Sequence, residues 1–119
     1  MIRINPRISA SELASHLDSM WTLSAQKIRS IESGYDFTQG APVFTREGRY
    51  VTRGWTEWTL GFHFGSALLQ FDATRDPEFL ELGRQGTIDR LPKYITHMGV
   101  HDHGFNILST FGTLLRLSR

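Results

Sequence analysis

The chain contains no cysteine, so a disulfide framework, a zinc ribbon and a thiol nucleophile are excluded together. It also lacks an excess of either charge. Thirteen basic residues stand against twelve acidic ones, and no net field draws the molecule to nucleic acid or to an anionic membrane. Arg49, Arg53, Arg84, Arg90 and Lys93 are scattered among acids and aromatics, which leaves nucleic-acid binding without its usual basic footprint. Its first residues lack a long hydrophobic run. Residues 1–8 alternate polar and apolar types, with neither a signal peptide nor a transmembrane helix among them, so the expected location is cytoplasmic. The chain itself has 119 residues, 39% apolar and 21% charged, the composition and length of one small globular domain.

The order of its elements comes from capping and periodicity. Ser9-Ala10-Ser11-Glu12 forms a capping box, in which the serine hydroxyl and the glutamate each satisfy a backbone N–H of the other. Leu13, Leu17, Met20, Trp21, Ile28 and Ile31 then recur at helical spacing, predicting an amphipathic helix that ends near Ser33-Gly34. Glycines 34, 40, 48 and 54 and Pro42 interrupt the segment beyond that helix. The expectation there is a long loop with short extended pieces around Val43 and Val51, and loops of this length are uncommon unless functional.

Residues 55–74 carry apolar side chains on nearly every side of a helix. Such a helix is enclosed, and Gly61 and Gly65 would let a neighbouring backbone come close. Two consecutive strands are the competing reading. Asp76-Pro77 places a capping side chain before a proline at the first helical position, and Phe79, Leu82, Ile88 and Leu91 supply an apolar stripe that Pro92 terminates. After a linker at 93–100, residues 106–117 hold Ile107, Leu108, Phe111, Leu114, Leu115 and Leu117 separated by small and hydroxylic residues, a second enclosed helix. The predicted fold is therefore all-α: outer and inner helices alternate as in a ring of α-hairpins. Four helices cannot close such a ring. The unpaired inner faces imply either a longer domain or association with copies of the same chain.

Three of the five histidines fall in His97-Met98-Gly99-Val100-His101-Asp102-His103-Gly104-Phe105. His101 and His103 with Asp102 or His97 could ligate a metal. Asp102 could instead cap the last helix. A third reading makes it a catalytic carboxylate beside a cavity walled by Trp55, Trp58, Phe62, His63 and Phe64, although each aromatic taken singly is more often core than contact.

Glu57-Trp58-Thr59-Leu60-Gly61-Phe62-His63-Phe64-Gly65 resembles the segment that opens an inner helix in unsaturated glucuronyl hydrolases, glycoside hydrolase family 88. His101-Asp102-His103-Gly104-Phe105 resembles that family's histidine-aspartate-x-glycine-phenylalanine segment, and Ala73-Thr74-Arg75-Asp76-Pro77-Glu78-Phe79-Leu80 its turn between helices. The resemblance covers roughly residues 52–117, the earlier part fitting as an outer helix and loop. It implies a partial six-hairpin α/α toroid spanning 1–119, and a fragment or short homologue acting on oligosaccharides that end in a 4,5-unsaturated uronic acid, with no cofactor. In that family water adds across the vinyl-ether double bond, unlike ordinary acetal cleavage. By the same resemblance Asp102 is the catalytic carboxylate, and Trp58 and His101 are substrate contacts. The family's second aspartate lies on a later inner helix with no counterpart before Arg119, so a lone chain is expected to be inactive. His63 and His103 also depart from the family's usual tryptophan and aliphatic residue. A non-catalytic carbohydrate-binding or assembly module and a histidine-cluster metal protein remain the alternatives.

Overall fold

The computed structural model describes Ser9 and residues 11–119; the alternating stretch at residues 1–8 lies outside the described residues. Ser9 N donates to Glu12 Oε2 at 2.6 Å and Glu12 N to Ser9 Oγ at 3.4 Å, the two reciprocal bonds of the capping box. The first helix, α1, comes next at Ala14–Gly34. Its C-terminal half packs through Ile28, while Leu13, Leu17 and Met20 continue the apolar stripe into solvent. A 3-10 turn at Phe37–Gln39 begins the connection to the next helix. Beyond it is a hairpin, β1 at Phe44–Arg46 and β2 at Arg49–Val51, paired antiparallel with Phe44 opposite Val51. The extended pieces expected near Val43 and Val51 are this hairpin.

The second helix, α2, spans Thr59–Thr74. It starts four residues later than its composition suggests, because Thr52 and Gly54 close a side-chain turn and Trp55 packs against Tyr94 and His97. The helix α3, Pro77–Arg90, is capped by Asp76, whose carboxylate accepts from Glu78 N at 3.1 Å. Its buried face is Phe79, Gly83, Gly86 and Thr87, whereas Ile88, expected in the stripe, is exposed. The glycines explain the difference. A Cβ on Gly83 would stand 2.6 Å from the Leu68 side chain, and one on Gly86 would strike the Phe64 ring, so α2 lies closer to α3 than larger residues would allow. The linker holds one short helix, α4, at Lys93–Thr96. A final rod then runs without a break through α5 at His103–Ile107, a π turn at Leu108–Gly112, and α6 at Thr113–Leu117.

Three sets of contacts orient these helices. Gln70 Nε2 donates to Trp21 O at 3.1 Å, and His63 Nε2 lies 3.0 Å from Glu32 Oε2, so α1 and α2 are antiparallel. The pairings of Gly83 with Leu68 and Gly86 with Phe64 make α2 and α3 antiparallel as well. Between α2 and the rod, Gly61 meets Asn106, Gly65 meets Ser109, and Asp72 pairs with Arg116 at 2.7 Å. Here both numberings rise together, so the two helices lie parallel.

Two buried clusters hold the assembly. Ala41, Leu60, Phe64, Leu91 and Tyr94 form one, and Ile28, Ala67 and Phe79 form the other. A wholly buried phenylalanine such as Phe64 contributes about 2–3 kcal/mol by removal of apolar surface from water. The enclosure expected of α2 and the rod is incomplete. Trp58 just before α2, Phe62 and Leu69 on it, and Phe105, Leu108 and Leu115 on the rod, remain exposed. Among the described residues no helix is long and apolar enough to cross a membrane.

Candidate functional site

Because α2 and the rod are parallel, both begin at the same end of the molecule. The junction is built by Asn106, which is fully buried. Trp58 precedes α2 and has no side chain that can cap it. Asn106 Oδ1 instead accepts from Gly61 N at 2.8 Å, and its amide donates to Glu57 O at 3.3 Å. A residue of one helix thus satisfies a first-turn N–H of another, the task an N-cap side chain ordinarily performs.

On one side of this junction Trp58, Phe62 and Phe105 form an open aromatic platform. Ring centroids are 5.1 Å apart for Trp58 and Phe62, 5.9 Å for Phe62 and Phe105, and 6.3 Å for Trp58 and Phe105. Positions 58 and 62 share a helical face by their spacing. Phe105 stands one turn beyond Asp102, its N–H bonded to Asp102 O at 3.0 Å. The Asp102 carboxylate is not engaged as a cap: the residue has helical angles and no side-chain capping bond. Its Oδ1 lies 3.1 Å from His101 Nε2, with the carboxylate about one-third exposed and the imidazole almost wholly so. A contact this open adds little stability. Its consequence is an available carboxylate at the start of the rod, one turn before Phe105.

The other wall candidates go elsewhere, and helical geometry is the reason. Phe64 lies on the opposite face of α2 from Phe62 and is core, while His63, a quarter turn or so from Phe62, is buried against Phe37 and Phe64 with Glu32 as its partner. Burial pushes the His63 pKa down, with Glu32 only partly opposing. Trp55 joins a second group with Tyr94, His97 and His103. His97 Nδ1 and His103 Nε2 are 2.7 Å apart, Trp55 meets His97 at 4.8 Å, and the Tyr94 hydroxyl donates to Trp55 O. Burial, and after it the adjacent His97, lowers the His103 pKa, while burial lifts the Tyr94 phenol to about 12. The pair is therefore a hydrogen bond between imidazoles of which His103 favours the neutral form.

Among the described residues no group of three or more metal-ligating side chains converges: His103 faces His97, and His101 faces Asp102. Asn106 and Phe105 were not singled out by sequence reasoning as parts of the site. An asparagine at the start of an otherwise apolar run is the one signal that could have drawn attention to the first. No family model, no curated protein and no solved structure matches the chain.

Proposed function

We propose that this chain is part of an α/α-toroid domain of the glycoside hydrolase family 88 type, which engages oligosaccharides ending in a 4,5-unsaturated uronic acid. The observation that carries this reading is the parallel seating of α2 on the rod, locked by Asn106 on Gly61, with antiparallel α1 and α3 beside α2. That is how inner and outer helices of consecutive hairpins relate. It sets Trp58 and Asp102 at one end. In this reading the Trp58 ring stacks on the apolar face of the sugar, and the His101 imidazole hydrogen-bonds a hydroxyl. Asp102 serves as acid and then base. Protonated, it gives its proton to C4 of the vinyl ether; water adds at C5, and the hemiketal opens to release the remaining sugar. The exposed faces of α2 and the rod are where further inner helices, or a second copy, would pack.

The test is incubation with unsaturated disaccharides from a lyase digest, tracking the double-bond absorbance. Because the family's second carboxylate has no counterpart in this chain, the enzyme reading requires a further inner helix or a second copy to supply it, and loss of absorbance that Asp102→Asn abolishes supports it. The open aromatic trio favours a second reading, a non-catalytic sugar-binding module, which predicts calorimetric binding without turnover. Folded protein that neither binds nor turns over these sugars refutes both.

A further inference from the structure

Between the 3-10 turn and the end of α3 lies a cleft of about 350 Å³ lined by Phe37, Gly40, Asp89, Arg90, Lys93 and Tyr94. This is within the size range of small-molecule sites. Two cations border it, and both are held against aromatic rings. The Arg90 guanidinium carbon is 5.3 Å from the Phe37 centroid, and Lys93 Nζ is 5.1 Å from Trp55 and 5.4 Å from Tyr94. Such contacts restrain long side chains without neutralising them. Among the described residues neither cation has a carboxylate within 4.0 Å.

The nearby acids are engaged elsewhere. Asp36, within electrostatic reach of Arg90, accepts from Thr38 N, Thr38 Oγ1 and Gln39 Nε2. Asp89 accepts from Gln85 Nε2 at 2.7 Å. Partial desolvation at the cleft wall, and then the positive charge of Arg90, lower the Lys93 pKa, as expected where two like charges border one concave surface. An anion between them would relieve that repulsion and form charge-assisted hydrogen bonds to both.

We propose that this cleft binds a small organic oxyanion, a carboxylate or a phosphate ester on a ring-sized body, with the anion between Arg90 and Lys93 and the ring against Phe37. The proposal requires neither Asp102 nor Trp58 and goes beyond the sugar-processing reading. The probes are benzoate, phenyl phosphate and, as the uncharged counterpart, benzyl alcohol, titrated by calorimetry and amide chemical shifts. At least one anion saturates the cleft, and which of them binds more tightly separates a carboxylate ligand from a phosphate one. Lys93→Gln and Arg90→Gln each weaken it about tenfold, the worth of one charge-assisted bond, while Lys93→Arg retains it. Added salt weakens binding. Thermal unfolding of each variant verifies that it is folded; Lys93 is exposed, so its variants are expected to keep the native transition. The proposal is overturned by equal affinity for benzyl alcohol, by folded Lys93→Gln binding as the native chain does, or by no saturation with either anion up to about 10 mM.

Discussion

Gly61→Ala is the substitution whose cost can be worked most directly from the contacts. A Cβ at this position would collide with Asn106 Cα, and would stand 2.7 Å from its Oδ1 and 3.0 Å from its carbonyl oxygen. Two of these atoms are backbone and cannot rotate away, so α2 and the rod must separate. Forcing one carbon into a close-packed contact costs about 1–3 kcal/mol. Lengthening the Gly61 to Asn106 hydrogen bond adds about 1 kcal/mol, and the better helix propensity of alanine returns about 1 kcal/mol. The expected result is a net loss of about 1–3 kcal/mol, read as a lower urea midpoint at unchanged slope and a fall in Tm of about 4–12 °C. Gly104→Ala is the control. Gly104 is helical with nothing within 4 Å of a new Cβ, so propensity alone should leave its stability unchanged or raise it by up to about 1 kcal/mol. A Gly61→Ala protein as stable as the Gly104→Ala protein would refute the close parallel packing.

Asn106→Ala leaves the Gly61 N–H and the Glu57 carbonyl unpaired and should cost about 2–3 kcal/mol; hydrogen exchange at the Gly61 amide should quicken selectively, and unchanged protection would contradict its role as a cap. The folded pKa values of His63 and His103 are lowered, so the neutral forms are favoured on folding. Their contribution is complete above the unfolded histidine value near 6.5 and is lost as pH falls from there through the lower folded values. Urea midpoints should accordingly drop on acidification below pH of about 6.5, less steeply in His63→Gln, and a flat profile across that window would contradict the assignment. Trp58→Ala, at a position 42% exposed, should weaken uronate-sugar binding about tenfold with Tm nearly unchanged; a large stability loss would mark Trp58 as core instead.

The parts legible in the sequence are those governed by local chemistry. The Asp76-Pro77 start and the Pro92 stop need only neighbouring residues, and each is found where the pattern puts it; the Ser9 and Glu12 bonds of the capping box form too, but α1 begins only at Ala14 behind an intervening turn, with Leu13 as an N-cap that makes no side-chain bond. Gly61 and Gly65 pointed to a close approach without naming the partner, because Asn106 and Ser109 lie some forty-five positions away in the chain. The wall candidates were sorted only by rotation about α2: three neighbours in sequence, Phe62, His63 and Phe64, face platform and core in turn. The Asp102 side chain was readable as cap, ligand or open acid, with the cap the ordinary expectation for an aspartate before a helix; the absence of a side-chain capping bond and the placement of His101 and His103 separate them. In the long connection the extended pieces near Val43 and Val51 were legible but their pairing into a hairpin was not, because two strands of three residues are too short for periodicity to register.

The three tryptophans, Trp21, Trp55 and Trp58, give three indole N–H resonances in one nitrogen-edited spectrum, and titration with an unsaturated uronyl disaccharide uses them as internal controls. The account predicts that the Trp58 indole and the amides of His101, Asp102 and Phe105 shift together on a single saturating isotherm while Trp21 stays in place. Shifts that avoid Trp58 and Asp102, or no saturable shift in folded protein, would contradict it.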